Sequence, residues 1–192
     1  MNDLILKNCN IIGADSISFN TDIKISGGRI VDIGIFDEAG IDCSNKFISP
    51  GFIDIHTHGG YGFDFMDSTD EAFDSILRFQ LDNGTTTVLP TSVTAPVAAI
   101  KKFIDTARKY KKKNPPFAKV FGVHLEGPYL SLKNRGAQKE EYILNPQKDD
   151  YSFITDNKDI VRTVTISPEL DVNGAMTKCL SENGIIVCGG HD

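Results

Sequence analysis

Positive charge is not in excess in this chain of 192 residues: 20 Lys and Arg stand against 26 Asp and Glu, a formal net charge of −6. A nucleic-acid surface needs clustered basic residues. The one basic run, Lys111-Lys112-Lys113, follows a helical stretch and reads as a solvated helix end, so no nucleic-acid partner is expected. Long apolar runs are also missing. No stretch reaches the roughly 20 residues of a bilayer crossing, so no membrane partner is expected. The N-terminus, Met1-Asn2-Asp3-Leu4-Ile5-Leu6-Lys7, lacks the basic head and apolar body of a signal peptide. Cysteine is scarce, and Cys9, Cys43, Cys179 and Cys188 show no close-paired spacing. That argues against a thiol-rich metal site and fits free thiols in a reducing cytoplasm. No Gly-rich phosphate loop follows the first strand of the α/β region, which weakens the case for a doubly wound nucleotide-binding sheet.

What is present is an ordinary globular composition, 40% hydrophobic and 24% charged, enough for one sizeable core or two small ones. The chain is organised around Pro50-Gly51-Phe52-Ile53-Asp54-Ile55-His56-Thr57-His58-Gly59-Gly60. Aromatic and β-branched residues bounded by Pro-Gly and Gly-Gly read as a buried strand. Alternation along a strand sends Asp54, His56 and His58 to one face. Two imidazoles at a strand end make half of a chelate, although His-x-His alone describes an unliganded pair equally well.

Residues 1–47 read as an all-β segment, an incomplete sandwich with a tight hairpin at Gly27-Gly28. From residue 48 the pattern alternates strand and helix. Ser68 to Glu71 fits a capping box before a helix carrying Phe73, Ile76, Leu77 and Leu81, which stops at Asn83-Gly84. Residues 85–90 make a strand, and Pro96 opens a helix with Ile100, Phe103, Ile104 and Ala107 on one side. Residues 118–125 make the next strand, 129–147 a loop and 148–158 a weak helix. Residues 161–166 are again strand, a helix carries Met176 and Leu180, and 185–188 is the last strand. Such alternation implies right-handed crossovers and a parallel sheet. With functional residues at successive strand tips, the fold class is α/β, a partial (β/α)8 TIM barrel over 48–192. About five strands are visible where a complete barrel has eight, so the chain is expected to be the N-terminal part of a longer protein.

Glu126 follows an apolar strand and precedes Gly127-Pro128, which presents its carboxylate at the strand tip. His191 ends the last strand after Gly189-Gly190 in the same way. His56, His58, Glu126 and His191 thus become candidate metal ligands. Nitrogen donors plus a carboxylate suit Zn, Fe or Mn, as one divalent ion or two bridged by the carboxylate. His124 and Asp54 are read as supports for the ligands rather than ligands.

The motif around His56 and His58 resembles the first barrel strand of the amidohydrolase superfamily. His124-Leu125-Glu126-Gly127-Pro128-Tyr129, Arg135-Gly136-Ala137-Gln138, Ser167-Pro168-Glu169 and Gly189-Gly190-His191 resemble, in that order, the N-acetylglucosamine-6-phosphate deacetylases within it. The fourth strand has no lysine to bridge two metals, unlike the cyclic-amide hydrolases. The resemblance implies metal-dependent deacetylation of an amino-sugar phosphate to acetate and the free amine. It implies Glu126 and His191 as core metal ligands, His56 and His58 as the extra ligands of two-metal members, and Ala137 and Gln138 as substrate-binding. The catalytic aspartate is expected beyond Asp192, leaving no catalytic residue in this chain and little or no activity of the chain alone. A cytoplasmic homodimer is expected of the complete protein. The competing readings are a non-catalytic remnant that serves as an assembly partner, and another C–N amidohydrolase.

Overall fold

A computed structural model describes residues 3–192. The chain divides into two compact units, Met1–Gly51 and Phe52–Asp192. The first is a single five-stranded sheet of β1 (Leu4–Ile12), β2 (Ile17–Ser26), β3 (Arg29–Gly34), β4 (Ile41–Asp42) and β5 (Phe47–Ile48). β3, β2 and β1 form an antiparallel meander, and β4 and β5 pair in parallel with successive parts of β1. Gly27 and Gly28 both take positive φ, 57° and 76°, which a tight primed hairpin turn requires. The second layer that a sandwich needs is not found among the described residues of this unit.

One buried ion pair anchors that sheet. Asp22 accepts from Lys7 Nζ at 2.6 Å and from the backbone amides of Asn8 and Phe36, each at 2.9 Å. The hydrogen bond from Lys7, with help from the two amides, pulls its carboxyl down to about 2.

The second unit alternates strand and helix: β6 (Phe52–Thr57), a short hairpin of β7 (Gly59–Gly60) and β8 (Phe63–Asp64), α1 (Asp70–Asp82), β9 (Thr85–Ser92) and α2 (Val97–Lys113). Then follow β10 (Lys119–Val120), β11 (Val123–Glu126), the one-turn α3 (Ser152–Thr155), β12 (Val161–Ile166), α4 (Ala175–Glu182) and β13 (Ile186–Gly189). β6, β9, β11, β12 and β13 lie side by side, all parallel, and β10 extends the pairing along β9. This is an α/β fold whose curled parallel sheet is half of a barrel. The described residues include no helix long and apolar enough to cross a membrane.

Helix α1 begins one residue later than the capping box suggested. Thr69 is the N-cap and accepts from Ala72 N at 3.2 Å, while Ser68 takes φ 52° and closes the short 3₁₀ turn before it. The apolar stripe of α1 and α2 packs on the outer face of the sheet. Phe73 is fully buried, with its ring 4.9 Å from that of Phe65 and 5.0 Å from that of Tyr110. Tyr110 spans the two helices, donating to Asp74 Oδ1 at 2.7 Å. The loop after β11 is more firmly held than its sequence suggests, because Tyr129 and Leu130 are fully buried and Tyr129 Oη donates to the Asp150 carbonyl at 2.7 Å.

The inner face of the sheet differs from expectation. β6 reads as a buried strand in the sequence, yet Ile53 and Ile55 are 67% and 64% exposed. With Leu89, Phe121, Ile186 and Cys188 they line an open concavity of about 550 Å³. These residues turn away from the helices, toward what would be the interior of a closed barrel.

Two outcomes follow. Asp22 has a depressed folded pKa, so its contribution is complete above the unfolded value near 3.9 and fades as pH falls toward 2. Acid titration of wild type should show an unfolding step across that window, and Asp22→Asn should remove that step and weaken the fold at neutral pH. Phe73→Ala, which empties a fully buried site, should cost about 3–5 kcal/mol in denaturant melts. A loss under about 1 kcal/mol would contradict the packing described here.

Candidate metal centre

A fault in the pleat of β6 makes the site possible. Asp54 and Thr57 both meet Gln80 Nε2 from α1, at 3.4 and 3.2 Å, so both face the helices although they are three residues apart. The pairing with β9 slips between Asp54 and Thr57. The consequence is that Ile53, Ile55 and His56 all border the inner concavity. The sequence expectation that Asp54 projects with His56 and His58 is therefore corrected. Asp54 lies on the opposite face, where it also accepts from His56 N at 3.0 Å.

Glu126, at the tip of β11, is the hub, its side chain 12% exposed. His56 Nε2 stands 3.8 Å from Oε1, His58 Nε2 3.4 Å from Oε2, and His191 Nε2 3.2 Å from Oε1. All four residues put forward as ligands thus meet at one carboxylate. One donor atom each from His56, His58 and Glu126 lie within 4.8 Å of one another, a group that could hold a metal ion. His191 joins them through Glu126. Ligand atoms arranged tetrahedrally around zinc at 2.0–2.1 Å stand roughly 3.4 Å apart, close to these separations.

The ring tautomers sharpen the point. His58 Nδ1 is 3.2 Å from the Thr91 carbonyl and His191 Nδ1 is 3.0 Å from the Asn134 carbonyl. A carbonyl can only accept, so both Nδ1 atoms carry the hydrogen. The neutral ring then presents a bare Nε2 lone pair. Both lone pairs face carboxylate oxygens, acceptor against acceptor, and only a positive charge between them relieves the repulsion. At His58 a proton can do this in the metal-free site. The Glu126 hydrogen bond raises the His58 pKa against the opposing effect of burial. Burial by itself would push the Glu126 carboxyl up, but hydrogen bonds from His58 and His191 outweigh it and hold the carboxyl at about 2.

His124 lies beneath this layer. Its Nδ1 meets the Ile55 carbonyl at 3.1 Å and its Nε2 meets Thr165 Oγ1 at 2.8 Å. Both nitrogens are engaged, and burial lowers its pKa, so it stays neutral. Its ring packs 5.0 Å from that of His56, as a buttress.

Several further groups support the site through contacts that the sequence does not record. Thr91 Oγ1 accepts from Thr57 N at 3.0 Å, fixing the turn into His58. Ser167 Oγ reaches the His191 carbonyl at 2.7 Å and accepts from Ser131 N at 2.6 Å, tying the tip of β13 to the loop after β11. Gly127 follows Glu126 with φ 79°, and a Cβ there would sit 2.4 Å from Thr94 Oγ1, so only glycine lets the chain turn. Gln138 is buried. Its Oε1 accepts from Thr94 N at 2.7 Å, and its Nε2 donates to Glu126 Oε2 at 2.6 Å. Ala137 and Gln138 border a cavity of about 640 Å³ shared with His58, Glu126, Tyr142 and His191.

Known proteins resemble this chain over nearly its whole length. The chain is 32% identical to the N-acetylglucosamine-6-phosphate deacetylase of Homo sapiens over 96% of its own length and 48% of the human protein. It is also 32% identical to that of Lysinibacillus sphaericus, over 98% of this chain and 50% of the relative. The crystal structure of the Pasteurella multocida deacetylase superposes with a TM-score of 0.85 at 27% identity, over 99% of this chain and 51% of that one. The chain therefore spans about half the length of the relatives it matches. The amidohydrolase family model matches residues 47–185, from β5 to the residue before β13, and the chain belongs to the amidohydrolase family.

Proposed function

We propose that this chain carries the metal-holding part of an N-acetylglucosamine-6-phosphate deacetylase. In this reading residues 1–47 are an accessory β segment and 48–192 the first part of a (β/α)8 hydrolase barrel. His56, His58, Glu126 and His191 hold one or two divalent ions (Zn, Fe or Mn). The observation that carries the metal is the convergence of ring lone pairs on a single carboxylate, with the Nδ1 hydrogens of His58 and His191 already committed to backbone carbonyls. The substrate rests on the relatives, named for this activity over nearly the whole of this chain. A cavity of about 640 Å³ beside Glu126 is ample for a sugar phosphate. A cytoplasmic homodimer belongs to the same proposal.

A divalent cation in such a site polarises an amide carbonyl and acidifies water. Around it, the protein's own groups have separate tasks. Glu126 stays ionised throughout the physiological range, and the two backbone carbonyls keep the Nε2 atoms of His58 and His191 turned inward. His124 keeps the His56 ring in place. Ala137 and Gln138 form the wall against which the acetamido sugar lies. Hydrolysis consumes one water and breaks the C–N bond, releasing acetate and leaving the amine on glucosamine 6-phosphate. Among the described residues that line the cavity, Glu126 is the only carboxylate. It is held by its neighbours, so no group of this chain is assigned the proton transfer from water to amine. Turnover by the chain alone should be little or none, and acetate release at the rate of a full deacetylase would overturn that assignment.

Binding is the sharper test. Zinc titrated against a chromophoric chelator should bind wild type and lose on the order of 100-fold affinity in Glu126→Gln. Unchanged affinity in that variant would remove Glu126 from the site. Because cations take the deprotonated imidazole, and His58 has a raised pKa, zinc affinity should fall as pH drops through and below that value. Glu126, ionised down to about 2, adds nothing to the slope between pH 5 and 8. In calorimetry the zinc-loaded chain should bind N-acetylglucosamine 6-phosphate more tightly than a cyclic amide. The opposite order would favour another C–N hydrolase.

A further inference from the structure

Gln138 occupies a position that its place on the substrate loop does not explain. It is 9% exposed, and both ends of its amide are spent. Oε1 accepts from Thr94 N at 2.7 Å and Nε2 donates to Glu126 Oε2 at 2.6 Å. The orientation of this amide is not arbitrary. A backbone N–H can only donate and an ionised carboxylate can only accept, so the flipped amide would set donor against donor and acceptor against acceptor. The Thr94 backbone thereby dictates that an N–H, never an oxygen, faces Glu126.

The effect falls on one carboxylate oxygen. Oε2 receives the short bond from Gln138 and also faces His58 at 3.4 Å, while Oε1 faces His191 at 3.2 Å and His56 at 3.8 Å. A carboxylate on a strand tip followed by glycine would otherwise rotate about its last side-chain torsion, which is broad and has no sharp minimum of its own. Thr94 is buried at 2% exposure and belongs to the segment between β9 and α2. The clamp therefore reaches Glu126 from a second part of the barrel, independent of β11.

We infer that Gln138 is a positioning residue: its amide, oriented by the Thr94 backbone, holds Glu126 in the single rotation that offers Oε1 to a cation alongside His56 and His191 and leaves Oε2 turned toward His58. The inference rests on the metal-binding reading of this site and assigns Gln138 a task beyond contact with the sugar. Glutamine suits the task because its amide is a donor that does not itself titrate.

The test has a metal-free arm and a metal arm. In the metal-free protein, the Gln138 side-chain amide signals should move in nitrogen–proton NMR spectra when Glu126→Leu is introduced. The Thr94 amide should exchange with solvent roughly 10-fold faster in Gln138→Met, having lost a buried hydrogen bond of ordinary net strength. With metal, Gln138→Met should lower zinc affinity roughly 10–100-fold and change the visible absorption of the cobalt-substituted protein, which reports ligand geometry. If circular dichroism shows the methionine variant unfolded, Gln138→Asn, whose amide is drawn back by one methylene, takes its place with the same expectations. A folded variant with wild-type zinc affinity and an unchanged cobalt spectrum would overturn the inference, as would the absence of both NMR effects. If wild type binds no metal while both NMR effects appear, the metal-binding reading fails and the clamp on Glu126 stands.

Discussion

The second unit is organised by the problem of keeping one ionised carboxylate inside a ring of imidazoles. Glu126 is largely shielded from water, and three ring nitrogens stand between 3.2 and 3.8 Å from it. In that setting a negative charge is stable only while positive charge or donors surround it. The strand tips of β6, β11 and β13 deliver the groups, and the loops between them supply the restraints. Thr91, Asn134, Ser167 and Thr94 act through backbone or hydroxyl contacts rather than by touching a ring Nε2 or the carboxylate. Stability and chemistry are divided between the two faces of the sheet. Helices α1 and α2 bury the outer face with Phe73, Phe103 and their neighbours, while the inner face carries the polar site beside an open apolar lining.

Much of this was legible in the residues. The periodicity of Phe73, Ile76 and Leu77 gave α1, and that of Ile100, Phe103 and Ile104 gave α2. Both stripes are buried as amphipathic helices require. The tips of the strands announced Glu126 and His191 through the glycines beside them. What was not legible depends on long-range pairing. The break in the pleat of β6 is set by its partner β9, and nothing in the His-x-His spacing records it. Ile53 and Ile55 read as buried because a parallel strand reads as core on both faces, whereas here one face lacks a covering layer. The contacts of Gln138 with Thr94 and Glu126 join residues 44 and 12 positions apart, and a buried glutamine in a loop looks in sequence like any other. Ser167 was visible only as part of a motif, since a hydroxyl's partner cannot be read from its neighbours.

The two units use the same device at different scales. In the first, Asp22 is stabilised by a lysine and two backbone amides. In the second, Glu126 is stabilised by imidazoles and an amide side chain. The first set of donors is complete in itself. The second set turns ring lone pairs toward the anion, an arrangement that remains unsatisfied until a proton or a metal arrives. That asymmetry separates a carboxylate whose partners are complete from one whose partners could take up a cation.

The displaced pleat of β6 has a wider meaning for reading such sequences. A perfectly regular strand that aimed His56 and His58 inward would have sent Ile53 and Ile55 outward, stripping the lumen of grease. The irregularity lets one short segment furnish both the greasy lining and the histidine pair. The motif is therefore a two-part instruction, of which only the letters are written in the chain and the phase is dictated by the adjoining strand. Transplanted onto a neighbour that enforces strict alternation, the same eleven residues would spell the motif without setting both histidines beside an apolar lining.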